Sequence, residues 1–335
     1  MQMDVLELTH RQSLEFTDSQ QLFAAWQDAQ ARVKHYSGSM HWKTIKGKKY
    51  LYHMLDGYGK GKSLGVKRDD TQAMYEAFQK GKQETIERLK SIQKALDEKA
   101  ALNRAVGLNR VPLIVARIAR ELDKQGLMGE RICMVGTHAI YAYEALAGVM
   151  VYRELLATAD ADFLWDNRET VKFSSDADVD GFLPMLKKAD RSFERSEQHY
   201  RAINKDGFMV DLIVAEPKDL RAQPQEQMGD AYDLKASGIG SLRWLINSPK
   251  VEAVVIDSKG YPFRIAVPDP RSFAIHKLWV SKQPNRRADK ARRDKQQALT
   301  VAKLLMERLP QFPFTAKELK MFPKALVEQS LKELE

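Results

Sequence analysis

Residues 131–165, RICMVGTHAIYAYEALAGVMVYRELLATADADFLW, decide the fold of this chain. Arg131 to Val135 is a short apolar run that Gly136-Thr137 breaks. Ala139, Tyr143 and Leu146 then recur at helical spacing, so a strand, a tight turn and a helix are expected in that order. The first free N–H groups of that helix, with the Thr137 hydroxyl, face whatever lies at the strand's end, and such an N-terminus favours a phosphate. A second strand follows. Its side chains alternate, so Asp160 and Asp162 project from one face while Ala161 and Phe163 project from the other. Two carboxylates side by side repel unless a cation lies between them, and hard oxygen ligands suit Mg²⁺. A phosphate cradle beside paired carboxylates points to phosphoryl-transfer chemistry.

A third carboxylate fits the same site. In GFMVDLIV, Asp211 interrupts an apolar run bounded by Gly207 and Pro217, a poor place for a charge without a partner. A strand there, beside the Asp160 strand, would bring three carboxylates together. The order Gly-Thr, Asp-x-Asp and a later strand Asp resembles the nucleotidyltransferases of the DNA polymerase beta superfamily, over about residues 126–305. Within it, the likeness is to bacterial nucleotidyltransferase-fold proteins and to the nucleotidyltransferase-like toxins of abortive-infection systems. Two features depart from the pattern. Thr137 stands in place of the usual Ser, and the 24 positions from Gly136 to Asp160 are long for the family, implying a longer helix or an extra turn.

The resemblance implies an α/β (α+β) nucleotidyltransferase fold with a short mixed sheet. It implies Asp160, Asp162 and Asp211 as catalytic, metal-ligating residues for Mg²⁺ or Mn²⁺, and a nucleoside triphosphate (NTP) gripped by Gly136 and Thr137. It also implies two-metal transfer of a nucleoside monophosphate to an acceptor hydroxyl, with release of pyrophosphate. The toxins share a helix Lys and a later basic segment containing an Asp, which Lys277 and Asp294 match. A Lys one helix away from a metal site is suited to meet a triphosphate as a point charge. Lys277 is therefore a candidate for nucleotide binding, with Arg286 and Arg287 beside it; solvated surface cations are the alternative reading.

Composition bounds the rest. At 335 residues the chain has room for two or three domains, and 44% hydrophobic with 30% charged residues is a globular balance with a real core. A single cysteine, Cys133, excludes a disulfide framework and reads as a buried inert thiol. MQMDVLELTH lacks a basic start and an apolar h-region, and no apolar stretch approaches spanning length, so a cytoplasmic protein without membrane contact is expected. Net charge +9 and a sequence pI near 9.3 point to acidic partners. The surplus is local: residues 31–70 hold ten Lys/Arg against three Asp/Glu, and residues 271–303 hold ten against two.

Three regions are expected: residues 1–125 as a helical and β-hairpin module, 126–270 as the catalytic domain, and 271–335 as a helical C-terminal part. In the first, residues 12–35 fit a short amphipathic helix, residues 37–70 read as two or three antiparallel strands, and Asp69 or Asp70 can cap a long helix from Thr71 to Asn103. Lysines interleave with Trp42, Tyr50, Tyr52 and Tyr58 there, a surface suited to tracking a phosphate backbone and stacking bases. A lysine-guarded sheet edge is the bland alternative. A second helix is expected near Val111 to Gln125, ended by Gly126. Asp176, Asp178 and Asp180 copy the opening of a calcium loop, but the twelfth position is Lys187 rather than Glu, so they read as acidic residues before a helix at Gly181–Asp190. Val251–Asp257 and Phe263–Pro268 read as a hairpin turning at Lys259-Gly260, and Pro270 opens a helix.

The two basic stretches favour RNA, such as a transfer RNA end, as the acceptor. A protein, an antibiotic-type small molecule, or nucleotide and nucleic-acid binding without turnover are the alternatives.

Overall fold

The computed structural model describes residues 5–55, 61–168, 181–217 and 225–334. Asp160–Trp165 and Met209–Ala215 form the centre of a mixed six-stranded sheet, running parallel with Asp162 opposite Asp211. Ile132–Val135 lies antiparallel on the other side of Asp160–Trp165, with Val135 opposite Asp162. The far edge of Met209–Ala215 is divided. Its first half takes Arg201–Ile203 antiparallel, its second half takes Ser237–Ile239 parallel, and Glu194–Arg195 pairs beyond Arg201–Ile203.

Apolar runs explain these strands. Ile132, Met134, Ala161, Phe163, Val210 and Leu212 on one face are fully buried, and Cys133, Val135 and Leu164 on the other are buried too, as in a sheet covered on both faces. The antiparallel hairpin Lys250–Ile256/Pro262–Pro268, whose turn has Gly260 at φ +90°, packs its second strand beside Ile132–Val135; Leu113–Lys124 packs on that second strand and on Phe182–Ala189, and Ile140–Ala147 packs on the hairpin. Phe182–Ala189 starts from a borrowed cap: Asp233 takes the N–H groups of Phe182 and Leu183 at 2.8 and 2.7 Å. Pro270–Ser281 starts at Asp269, which accepts from the Arg271 N–H at 2.8 Å. Cys133 is buried, and burial pushes its thiol up to about 12, so it is inert.

The long gap between Gly136 and Asp160 holds extra elements rather than a longer helix. Ile140–Ala147 is only eight residues; Val149–Val151 then pairs antiparallel with Val5–Glu7, and a short helix, Arg153–Leu156, follows.

The chain divides into two compact units, Met1–Ser13 with Gly107–Glu335, and Leu14–Val106. The helix Leu113–Lys124 and the C-terminal helices fall in the first unit. The helix His10–His35, 26 residues long, covers the segment 12–35 expected to be helical. The second unit contains most of it, a three-stranded antiparallel sheet (Ser39–Ile45, Lys48–Met54, Gly61–Val66) and the helix Asp69–Ala105. At the start of that helix Asp70 Oδ1 accepts from the Thr71 N–H at 2.7 Å, as expected of a capping aspartate, and Thr71 Oγ1 accepts from the Arg68 N–H at 2.9 Å. Period-two alternation sorts the sheet's aromatics. Trp42 lies on the helix side against Tyr75, with ring centroids 5.9 Å apart, whereas Tyr50 and Tyr52 face the other way with Lys43. Tyr58, Lys60 and the Asp176–Asp180 run lie outside the described residues.

No helix among the described residues is long and apolar enough to cross a membrane.

Candidate active site

Gly136 follows the last residue of the Ile132–Val135 strand, beside Asp162. It has φ +67°, and a Cβ there would stand 2.5 Å from Asp162 Oδ2. Left-handed backbone and close carboxylate both demand glycine. One 3₁₀ turn, Gly136–Ala139, leads into Ile140–Ala147. Thr137 is buried in that turn, and its hydroxyl accepts from Gln297 Nε2 at 3.2 Å. Gln297 Nε2 also donates to the Leu155 carbonyl at 2.6 Å, while its buried Oε1 finds no partner among the described residues. His138 lies next in the turn; burial lowers it to about 4, so it is neutral at pH 7.

The three aspartates meet as their spacing suggested. Asp160 and Asp162 share one face of their strand, and Asp211 adjoins Asp162 in parallel register. Their environments differ. Burial works against the charge of Asp160, but the Thr158 hydroxyl, Lys290 and Arg293 outweigh it and hold the carboxyl below its ordinary range. Lys290 Nζ stands 3.8 Å from Asp160 Oδ2. Asp162 is pushed up to about 6, first by burial, then by the charges of Asp160 and Asp211, with Lys277 and Lys290 opposing. Asp211 is held by Arg201, whose Nε and Nη2 donate to its two oxygens at 2.7 Å each.

A second layer comes from the C-terminal helices. Lys277 is buried in Pro270–Ser281, its charge disfavoured by burial, and Nζ donates to Asp294 Oδ1 at 2.7 Å. Asp294, fully buried, also accepts from Arg286 Nε at 2.7 Å. Arg287 takes another place: it is exposed and paired with Asp289, Nη2 to Oδ2 at 3.0 Å. Lys290, Arg293 and Gln297 recur along one side of Ala288–Arg308, reaching Asp160, the Ala157 carbonyl (2.7 Å) and Thr137.

Arg201, Lys290, Arg293 and Gln297 were not singled out in the sequence. Arg201 had a signal: Asn204-Lys205-Asp206-Gly207 is a hairpin loop, and counting outward from the pair Ile203–Met209 sets Arg201 opposite Asp211. The helix residues had only their spacing, which a solvated basic face shares.

The donor set suits a hard divalent cation in part. Asp160 and Asp162 offer paired oxygens whose mutual crowding a cation would relieve. Asp211 is committed to Arg201, and no group of three or more His, Cys, Asp or Glu among the described residues is disposed to hold a metal ion.

A family model described as nucleotidyltransferase matches residues 114–322, which include the whole mixed sheet, the Gly136-Thr137 turn and both helices bearing Lys277 and Asp294. No curated protein and no solved structure matches the chain.

Proposed function

The chain belongs to the nucleotidyltransferase family that residues 114–322 match, and from that premise we propose that it transfers a nucleoside monophosphate from an NTP to an acceptor hydroxyl, on RNA such as a transfer RNA. The observation that carries the reading is the juxtaposition of Asp160, Asp162 and Asp211 beside a turn in which Gly136 must be glycine. The acceptor hydroxyl gives up its proton to solvent and its oxygen bonds to the α-phosphorus, while the bond from that phosphorus to the bridging oxygen breaks and pyrophosphate leaves. Asp160 and Asp162, with Asp211 completing the set, would hold Mg²⁺ or Mn²⁺, which would supply charge neutralisation and activation of the acceptor hydroxyl in a two-metal scheme.

The chain's own groups do the positioning. The Gly136 turn allows backbone N–H groups to approach a phosphate closely, and the hydroxyl of Thr137, already accepting from Gln297, keeps its proton free to donate. Lys290 and Arg293 bring positive charge next to Asp160, on the side where the polyphosphate would carry its own negative charge. Lys277, held by Asp294, raises the positive field behind Asp162. The RNA acceptor rests on the lysine-rich sheet of the Leu14–Val106 unit, with Lys43 over Tyr52 at 5.8 Å.

The test is incubation with each labelled triphosphate, Mg²⁺ and total cellular RNA. Label should enter RNA, and Asp160→Asn and Asp162→Asn should each abolish its uptake while the protein stays folded. Uptake by both variants equal to the parent would overturn the chemistry. Label appearing in protein or a small molecule would overturn the RNA acceptor alone.

A further inference from the structure

Arg201 is bound to the third carboxylate by geometry fixed in the backbone. It and Asp211 are register partners across Arg201–Ile203 and Met209–Ala215, so strand pairing holds the two side chains opposite each other. The fork is bidentate, at 2.7 Å on each side, the strongest form of carboxylate pairing by a side chain. The Arg201 side chain is 24% exposed against 9% for Asp211, and its guanidinium lies 5.6 Å from the Tyr200 ring. Nε and one Nη2 hydrogen are committed; the Nη1 edge has no protein partner among the described residues and remains for an anion. A divalent cation brought to Asp211 would meet this guanidinium at the same oxygens, and like charges that close repel strongly in a partly buried site.

We propose that Arg201 is the resident counter-ion of Asp211, competes with the divalent cation for that carboxylate, and yields when a polyphosphate takes its guanidinium. This rests on the reading of Asp211 as a metal ligand. Its consequence is positive coupling: the nucleotide draws Arg201 aside, Asp211 becomes available, and metal and nucleotide each strengthen the other's binding. The chain without metal keeps one of three adjacent carboxylates neutralised, and the complete ligand set forms only when substrate is present.

The experiment measures Mn²⁺ binding to the full chain by the loss of the free-ion electron paramagnetic resonance signal. It is run with and without a non-reacting α,β-methylene triphosphate. Arg201→Met should tighten Mn²⁺ binding in the absence of nucleotide by a factor in the usual range for coupled sites, roughly 5–150-fold, and the nucleotide should then add less than it adds to the parent. Adding Asp211→Asn to Arg201→Met should erase the gain. Mn²⁺ should also raise the melting temperature of Arg201→Met more than that of the parent, since a ligand stabilises the state it binds. Should Arg201→Met not fold, Arg201→Lys, which cannot reproduce the fork, carries the same test with a smaller gain. Binding that is no tighter in the folded variant overturns the proposal. If Mn²⁺ binding is lost in Asp160→Asn yet indifferent to Arg201, only this inference falls; if it is indifferent to Asp160 as well, the metal reading falls with it.

Discussion

Lys277 Nζ donates to Asp294 Oδ1 at 2.7 Å, joining two helices whose residues lie 17 positions apart in the chain. Arg286 takes the other oxygen of Asp294 through Nε and Nη2, at 2.7 and 2.6 Å, so one fully buried carboxylate serves two cations. The asymmetry of exposure sets the energetics: Arg286 is 31% exposed and can turn to water, whereas Lys277 is 10% exposed and cannot.

Asp294→Ala should therefore destabilise the protein by about 3–5 kcal/mol, the usual cost of leaving a buried charge unpaired. Lys277→Met leaves Asp294 its two bonds from Arg286 and should cost less, about 1.5–3 kcal/mol, while still weakening triphosphate binding. Lys282 offers the contrast, since it pairs on the surface with Glu333, and Lys282→Met should change stability by less than about 1 kcal/mol. Urea unfolding of the three variants, with nucleotide binding on each, checks the order. Equal small losses of nucleotide binding for Lys277 and Lys282 would leave Lys277 a structural partner of Asp294 with no part in binding the triphosphate.

At the turn, geometry and chemistry can be separated. Gly136→Ala forces a Cβ toward Asp162 Oδ2 and a side chain into left-handed backbone, about 1–2 kcal/mol of strain, and should abolish transfer out of proportion to that modest loss of stability. Gln297→Leu removes the donor to Thr137 Oγ1; it should raise the KM for triphosphate roughly tenfold, the worth of one hydrogen bond at the upper end of its range. Thr137→Ser keeps the hydroxyl and should stay near the parent, whereas Thr137→Ala should match Gln297→Leu. A Gln297 variant with unaltered KM would make that hydrogen bond purely structural.

Much of the centre could be read from residue order alone. The Gly136-Thr137 break, the Asp160/Asp162 alternation and the charge at Asp211 inside an apolar run each have one economical local explanation, and the strands assembled accordingly. What could not be read depends on register or on helix rotation. Arg201 meets Asp211 only because of a hairpin count, and Trp42, expected among the stacking aromatics, turns toward the helix because its neighbour in register is the buried Leu51. Arg287 and Arg286 look alike in sequence, but only Arg286 reaches Asp294, with Arg287 at the start of the next helix on Asp289.

The buried histidine of the turn gives the protein an acid-sensitive arm. His138 is lowered to about 4 by burial against an ordinary 6.5. Between those values the unfolded chain binds the proton and the folded one does not, so this contribution is fully present above about pH 6.5 and is lost as pH falls toward 4. Its full size is on the order of 3 kcal/mol. His276, lowered by burial to about 3, acts in the same direction. Denaturant midpoints of the parent and His138→Gln at pH 7.5, 6.0, 5.0 and 4.5 should converge as pH falls, because the variant lacks this arm; parallel curves would show that His138 protonates freely in the folded state.

The acceptor is tested on the sheet of the Leu14–Val106 unit. Lys46, Lys48 and Lys49 are exposed at the turn between Ser39–Ile45 and Lys48–Met54, and none of them forms an ion pair among the described residues. If RNA lies there, each phosphate that the protein no longer neutralises should lower the slope of log affinity against log salt by roughly 0.7 to 0.9. Replacing all three lysines by Gln should therefore weaken RNA binding and flatten its salt dependence, yet leave triphosphate binding unchanged. Stacking is expected at Tyr50 or Tyr52, on the face away from the helix, where replacement by Ala should cost roughly 1–3 kcal/mol of RNA affinity with little change in salt slope. Trp42→Ala, by contrast, removes packing against Tyr75 and should act on stability before affinity. Survival of both RNA affinity and salt slope in the triple variant would leave the sheet a lysine-guarded edge and move acceptor binding to the basic face of Ala288–Arg308.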